Sequence, residues 1–217
     1  MASFQSIIDS ASAISIDKNP IISQTITRDQ TIRQTSRGGA IYRFTVTPSP
    51  GLLWLTNKGL VAQLEDAKIG TQTISINKSG HTWITGYSGD LTTAQVNALT
   101  FLYTAGQQAI NTREIGVFNL PAVPADTVVF RAGDLIQSAN SVRPYTVTAD
   151  VIRGSLNYVM VPIHRPCLDT PSNSQYDLKV GQEVSWRVVM TKMPRWTITP
   201  ERLIAWDGDF EFMESLL

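Results

Sequence analysis

The chain has 217 residues, of which 42% are hydrophobic and 8% aromatic, enough for the core of one large domain or two small ones. Its 18 basic and 18 acidic residues balance, so charge predicts no general attraction to nucleic acid or to an anionic membrane. The single cysteine, Cys167, excludes an internal disulfide and a cysteine-based zinc site.

The first stretch, residues 1–20, is rich in Ser, Ala and Ile and ends at Asn19-Pro20. Its weak pattern predicts either a disordered terminus or an N-terminal arm that orders against a neighbouring subunit. It lacks the basic start and long apolar run of a signal peptide, and no apolar segment reaches the ~20 residues of a membrane helix. We therefore expect a soluble protein, synthesised in the cytoplasm, that does not enter a membrane.

Residues 21–120 are predicted to form a β-rich domain that also contains two short helices. Tyr42, Phe44 and Val46 alternate with polar residues, which is the period of a half-buried strand. Residues 71–76 predict a further strand.

The two helices are predicted from apolar residues at helical spacing. The first covers residues 52–67. The second covers residues 91–101, with Asp90 as a candidate N-cap and Gly106 as the expected end.

A second domain, residues 125–217, is predicted to be a small β-barrel or sandwich. The two prolines of residues 119–124 predict a rigid linker before it. Short apolar runs then alternate with turn signals such as Gly133-Asp134. The fold class is therefore mainly β, a β-sandwich or small barrel with two short helices, and α+β by content.

Several runs in this second domain predict strands, among them residues 128–136 and 184–190. Residues 145–151 alternate apolar and polar side chains. Residues 156–163 are apolar at nearly every position, as in a strand buried on both faces or at a subunit contact. Residues 203–212, with an Asp207-Gly208 turn signal, predict a closing hairpin strand.

No catalytic pattern stands out. The two histidines, His81 and His164, lie in no metal-ligand spacing, and no GxSxG elbow exposes a serine such as Ser79 or Ser88. Cys167 near His164 is more simply a loop or buried thiol. We expect no enzyme, no cofactor and no metal.

The acidic residues near the C-terminus are predicted to be solvated. A carboxylate pair could serve a glycosidase, but Glu211 alternates with Phe210 and Phe212, which is typical of the wet face of a strand. Asp207-Gly208-Asp209 is too short for a calcium loop. Glu214 belongs to the same acidic group.

Arginines and tryptophans are the candidate interface residues. Arg28, Arg33, Arg37 and Arg43 predict either one basic face, for a charged subunit contact or for DNA in a channel, or ordinary surface arginines. The five tryptophans exceed what a small fold needs, and Trp is enriched at interfaces. We expect at least one to fill a pocket between subunits.

Four stretches carry a resemblance to known proteins: SRGGAIYRFTVTPSPG (36–51), FRAGDLIQSANSVRPYTVTADV (130–151), SLNYVMVPIHRP (155–166) and LIAWDGDFEFMESL (203–216). Together they resemble structural proteins from the tail of contractile-tailed bacteriophages. In that group an Arg-Gly turn leads into an aromatic strand, an Ala-Gly-Asp turn opens a small barrel, and an aromatic strand closes the chain.

The resemblance implies a structural virion protein of the distal-tail or tube-initiator kind, at the junction of tail tube and baseplate. It would form a homo-oligomeric ring, expected to be six-fold, against other tube, sheath or baseplate proteins. DNA would pass through the ring with passive contact only, and the protein, made in the host cytoplasm, would reside in the virion. The expected interface residues are Arg28, Arg33, Arg37, Arg43, Trp54, Trp83, Trp186, Trp196, Trp206, Leu156, Tyr158 and Met160.

Two other functions are kept open. One is a receptor- or carbohydrate-binding module of a tail fibre or adhesin, in which exposed Trp and Tyr stack on sugar rings. The other is a cell-wall hydrolase, which an assay on bacterial walls would reveal.

Overall fold

A computed structural model describes residues 3–19, 22–26, 32–36, 40–67, 70–78, 80–102, 112–169 and 175–216. It is 42% strand and 16% helix with curled sheets, which confirms the predicted β-rich α+β fold class. The described residues contain three α-helices, one more than the sequence predicts: α1 (Ser3–Ser10), α2 (Trp54–Asp66) and α3 (Thr93–Val96).

The strands divide among five sheets. In chain order they are β1 (Ala13–Asn19), β2 (Ile22–Ile26), β3 (Ile32–Ser36), β4 (Ile41–Thr47), β5 (Leu52–Leu53), β6 (Thr71–Ser75), β7 (Thr100–Leu102), β8 (Glu114–Phe118), β9 (Val128–Phe130), β10 (Leu135–Ser138), β11 (Tyr145–Thr146), β12 (Val151–Ile152), β13 (Tyr158–Pro162), β14 (Gln175–Val180), β15 (Ser185–Lys192), β16 (Arg195–Ile198), β17 (Leu203–Asp207) and β18 (Phe210–Glu214).

The chain forms two compact units, and the second is inserted into the first. Unit 1 takes the described residues up to Ile74 and from Arg187 onward, and unit 2 is Ser75–Trp186. This differs from the predicted division into 21–120 and 125–217. The reason is a long-range pairing, because β18 joins the same sheet as β4.

The main sheet of unit 1 has the strand order β1-β4-β18-β15-β6. As predicted, β4 alternates, with Tyr42, Phe44 and Val46 buried. The alternation places these side chains on one face of the sheet, where the apolar residues of β18 join them.

The described part of the predicted N-terminal arm belongs to unit 1. In α1, Phe4 and Ile7 are fully buried, and the Phe4 ring centroid lies 5.1 Å from that of Phe212. All seven residues of β1 pair with β4. Residues 3–19 are therefore integral to this sheet and its core, which differs from both a disordered terminus and an arm held by a neighbour.

The sheet of unit 2 has the order β11-β10-β14-β7-β8-β13 and curls until its two outer strands meet. The junction is one antiparallel bridge between Val147 and Ile163. The side chains that face inward form the core of the unit, with Phe101, Phe130 and Tyr145 among the largest. The predicted small β-barrel character thus lies in residues 75–186 instead of 125–217.

Two apolar stretches of unit 2 differ from their predicted strands. The alternating residues 145–151 form two short strands, β11 and β12, instead of one. In β13, Val159 and Val161 are buried while Tyr158 and Met160 are half-buried. This strand is therefore covered on one face more than on the other, because Val159 and Val161 face the core of unit 2.

The second predicted helix is much shorter than residues 91–101, over which the apolar residues have helical spacing. It covers four residues, Thr93–Val96, and Thr92 caps it in a capping box with Gln95. Asp90, the predicted N-cap, instead accepts hydrogen bonds from Val128 N and Arg131. Gly106, the predicted end, lies outside the described residues.

The predicted closing hairpin is also wrong. β17 pairs with β16 and β5, whereas β18 pairs with β4 and β15. Gly208, with φ 109°, therefore turns the chain from one sheet into another.

Candidate interaction surface

Three of the five tryptophans lie together in unit 1, on a feature that we call the tryptophan ribbon. It consists of the three-stranded sheet β16-β17-β5 and Trp54, the first residue of α2. Trp196 on β16 is directly opposite Trp206 on β17, so their side chains share one face of the ribbon.

Backbone geometry holds Trp54 at this place. The turn between β16 and β17 runs from Thr199 to Leu203 and carries Arg202 at φ 64°. Arg202 O accepts a hydrogen bond of 2.9 Å from Trp54 N. As a result the Trp54 ring stacks on Trp196, with centroids 5.1 Å apart and planes at 20°.

The remaining tryptophan of the ribbon contacts the main sheet. The Trp206 ring lies edge-on to Phe210, with centroids 4.9 Å apart. Its Nε1 is buried, and no described residue offers it a hydrogen-bond acceptor. A buried N–H group that makes no hydrogen bond lowers the stability of the folded chain by about 1–3 kcal/mol. This position is therefore not optimised for the stability of the isolated chain.

The ribbon also exposes large aliphatic side chains. Leu53 is 54% exposed, Leu55 66% and Ile198 47%. Leu53 lies on β5, Leu55 in the first turn of α2, and Ile198 at the end of β16, so all three belong to the ribbon or to the helix start beside it. The register pairs Leu53 with Leu203 and Ile198 with Ile204, so these two side chains lie on opposite faces of the ribbon. Exposed apolar side chains of this size are candidates for a protein–protein contact.

A cavity of about 440 Å³ adjoins the ribbon. Pro48 and Pro50 line one part of it, and Leu203, Trp206 and Asp209 another. Its lining is mostly apolar with one carboxylate, which suits a side chain of a partner better than a small charged ligand.

The other two predicted tryptophans do not join the ribbon. Trp186 is fully buried, so the prediction that it lies at an interface is wrong. Trp83 is 77% exposed, and its Nε1 donates a 3.0 Å hydrogen bond to Gly80 O. That bond fixes the indole while leaving most of its ring in solvent.

The predicted interface residues of the 156–163 run form a separate apolar surface in unit 2. Leu156 is 53% exposed, and Tyr158 and Met160 are half-buried on the same face of β13. The Tyr158 ring stacks on Phe118 of β8 with centroids 5.2 Å apart.

Of the four predicted arginines, only Arg43 has a side chain that the structure describes. Arg28 and Arg37 lie outside the described residues, and Arg33 is described only as a backbone position in β3, opposite Thr25. Arg43 is exposed on β4, where its cross-strand neighbour is Asp17. The predicted basic face thus stays a prediction.

The Ala-Gly-Asp turn contains a buried carboxylate that the sequence did not reveal as an acceptor. Asp134 is 2% exposed and accepts hydrogen bonds from Ser88 N (2.9 Å) and Arg131 N (2.8 Å). Burial nevertheless raises the pKa of this carboxyl above its usual value, and the two amide donors only partly offset that effect. The carboxylate ties the segment before α3 to the turn.

Cys167 and His164 do not form a catalytic pair. Tyr145 Oη donates a hydrogen bond to Cys167 Sγ at 3.8 Å and also lies 3.0 Å from an Asp169 carboxylate oxygen. Burial raises the pKa of the Cys167 thiol, which makes it a poor nucleophile. The same cause raises the pKa of Tyr145.

The C-terminal acidic residues do not converge. Glu211 forms a 3.2 Å ion pair with Lys192 at the surface. Glu214, predicted to be solvated, is instead 4% exposed and accepts a hydrogen bond from Tyr42 N. Among the described residues, no three His, Cys, Asp or Glu side chains are grouped so that they could hold a metal ion.

No protein-family model matches the chain, and no curated protein matches it. Within the described ranges, no helix combines the length and the apolar character needed to cross a membrane. The chain is therefore assigned to a class by its fold alone, a β-rich α+β protein of two units.

Proposed function

We propose that this protein is a structural subunit of a contractile bacteriophage tail, forming a homo-oligomeric ring at the junction of tail tube and baseplate. The four sequence stretches that resemble such tail proteins support the proposal. Its function is then assembly, and its partners are further copies of itself and the neighbouring tube, sheath or baseplate proteins.

The exposed aliphatic side chains of unit 1 are the residues that we expect to contact a neighbouring subunit. Leu53 on β5, Leu55 in the first turn of α2 and Ile198 on β16 are about half exposed or more, with Leu53 and Ile198 on opposite faces of the ribbon. Each large aliphatic side chain buried against another copy contributes ~1.5–3 kcal/mol at full burial.

The test combines solution mass with particle imaging. Mass photometry and negative-stain microscopy of the purified chain are expected to find rings at micromolar concentration. The triple variant L53S/L55S/I198S is expected to sediment as a monomer with unchanged circular dichroism. The matched control V142S/I152S removes two side chains of unit 2 that are 40% and 58% exposed, and it should keep the ring.

A wild-type chain that stays monomeric at all concentrations and does not join tail particles would contradict the proposal. Rings that persist in the triple variant would contradict only the assignment to the tryptophan ribbon. Clearing of bacterial walls by the purified chain would point to a hydrolase instead.

A second candidate, a carbohydrate-binding module, is favoured by Trp83. Its indole is 77% exposed and is held by the bond to Gly80 O, which is how an aromatic platform for a sugar ring is presented. Glycan-array binding that is lost in W83A, with the fold retained, would favour this function over assembly.

A further inference from the structure

The two outer strands of the unit 2 sheet meet at one short junction, which we call the seam. Two backbone hydrogen bonds flank the Val147–Ile163 bridge there. His164 N donates to Thr146 O at 3.0 Å, and Thr148 N donates to Pro162 O at 3.0 Å. Beyond the seam the same two segments are also joined by hydrogen bonds from Arg165 to Pro144 O (2.8 Å) and from Leu168 N to Tyr145 Oη (3.0 Å).

A third hydrogen bond at the seam uses a side chain. Thr146 N donates to Nδ1 of His164 at 3.0 Å. A ring nitrogen accepts a hydrogen bond only while it carries no proton, so this contact requires the neutral imidazole with its hydrogen on Nε2. Thr146 and His164 are therefore joined twice, by backbone and by side chain.

Protonation of the His164 ring would replace the hydrogen bond between Thr146 N and Nδ1 by repulsion between two N–H groups. The imidazolium has a hydrogen on each nitrogen, so Nδ1–H would face the Thr146 N–H at hydrogen-bond distance. The buried amide would lose its acceptor at the same time, because the Thr146 residue is only 4% exposed. The ring would have to turn away, and one of the three bonds of the seam would break.

The charged groups around His164 do not remove this conflict. Arg113 and Glu114, at the start of β8, line a cavity of about 570 Å³ together with His164 and Thr148. Next to His164 in sequence, the Arg165 guanidinium donates to Pro144 O and lies 5.3 Å from the centroid of the Tyr145 ring. Arg113 and Glu114 carry opposite charges, and the Arg165 guanidinium is engaged with Pro144 O and the Tyr145 ring.

We infer that His164 is a pH-sensitive switch that keeps the seam of unit 2 closed at neutral pH and lets it open when the imidazole takes up a proton. The closed seam binds the neutral ring, whereas the open seam accepts either form. Opening therefore rises as the pH falls, because only the open seam accepts the protonated ring. Uptake of one proton limits the rise to about tenfold per pH unit.

The first measurement uses the wild-type chain and requires no variant to fold. A long-range ¹H–¹⁵N spectrum at pH 7.5 is expected to place the hydrogen of His164 on Nε2. A hydrogen on Nδ1 at that pH would overturn the inference, since Nδ1 could not then accept from Thr146.

The second measurement is hydrogen exchange of the Thr146, Thr148 and His164 amides between pH 7.5 and 5, corrected for the intrinsic pH dependence of exchange. In the wild type their opening is expected to increase by about ten- to thirtyfold over this range. In H164N, Oδ1 takes the place of Nδ1 and cannot be protonated, so the increase should fall below about twofold. The control H81N changes the only other histidine and should behave as the wild type.

H164A completes the set. It removes the acceptor at every pH, so opening of the seam should be raised already at pH 7.5 and should then change little with acidification. An equal increase on acidification in the wild type, H164N and H164A would show that another group controls the seam and would overturn the inference.

Discussion

Phe212 on β18 lies directly opposite Phe44 on β4, and both rings are fully buried. The whole of unit 2 separates these two residues along the chain. The pairing explains why unit 1 is built from both ends of the described sequence, since neither β4 nor β18 can complete the sheet without the other.

Replacing Phe212 by alanine is expected to lower the free energy of unfolding of unit 1 by about 3–5 kcal/mol. The variant loses the ring contacts with Phe4 and Phe210, at 5.1 and 6.3 Å, and leaves a cavity in the core. Urea unfolding followed by tryptophan fluorescence measures the change. The control M213A, at the half-buried neighbouring position, should cost clearly less; equal losses would show that the core of unit 1 does not depend on Phe212.

Glu214 is expected to stabilise unit 1 through its contact with a backbone amide. Its carboxylate accepts from Tyr42 N at 3.1 Å in a buried position. E214A should cost about 1–3 kcal/mol, because the amide loses this acceptor, while E214Q keeps an acceptor oxygen and should cost less. The matched control is E211A, which removes an exposed ion pair and should change stability by at most about 1 kcal/mol.

Asp134 predicts an unusual pH dependence. Burial raises its pKa in the folded state above that of the unfolded chain, ~3.9, so folding favours the protonated acid. Its contribution to stability is full below pH ~3.9 and is lost as pH rises through the folded pKa. The unfolding free energy of the wild type should therefore fall relative to D134N between pH 3 and pH 6, as urea titrations at each pH would measure. If the wild type instead gained stability relative to D134N as the pH rises, the two amide donors would outweigh burial.

Alanine substitutions at Gly89 and Gly59 are expected to change the stability of the fold in opposite directions. A Cβ on Gly89 would lie 2.5 Å from Val129 O and overlap the Tyr87 hydroxyl that donates to the same oxygen, so G89A should destabilise unit 2 by about 1–3 kcal/mol. Gly59 is exposed in the middle of α2 with open space around it. G59A should therefore stabilise by up to about 1 kcal/mol, as thermal unfolding would measure. Destabilisation by both substitutions would contradict the packing described at Gly59.

The stacked pair on the tryptophan ribbon is expected to be coupled. A double-mutant cycle with W54A, W196A and the double variant should give an interaction energy of about 0.5–1.5 kcal/mol, because the two rings overlap at 5.1 Å. W83A serves as a control, since Trp83 belongs to unit 2 whereas Trp54 and Trp196 belong to unit 1, and its effect should add to that of W196A. Strict additivity between Trp54 and Trp196 would show that the stack contributes no energy of its own.

Periodicity predicted the local elements well and the long-range pairing poorly. The alternation of Tyr42, Phe44 and Val46 and the helical spacing of residues 52–67 both correspond to observed elements. These patterns report which side of one segment is buried, and that is a local property. The turn at Asp207-Gly208 was also found, but whether a turn closes a hairpin depends on strands far away in sequence, here β4 and β5.

The candidate surface could be predicted only in part, because the burial of a side chain depends on contacts between segments that are distant in sequence. Tryptophan content pointed to interface residues, and three of them converge, but nothing in the sequence distinguished the buried Trp186 from the exposed Trp83. Asp134 gave a turn signal without revealing its second role, because its amide donor at Ser88 comes from a distant segment. Contacts between remote segments need the folded chain before they can be named.

Because unit 2 is inserted in the sequence of unit 1, unit 2 can fold during translation before unit 1 is complete. The ribosome finishes Ser75–Trp186 before it makes β18, so unit 2 has its complete sequence while unit 1 still lacks the centre of its sheet. In that interval β4 presents the apolar side chains of Tyr42, Phe44 and Val46 without their partner strand. A nascent chain at this stage is the natural substrate for a chaperone, and it is the form most exposed to aggregation.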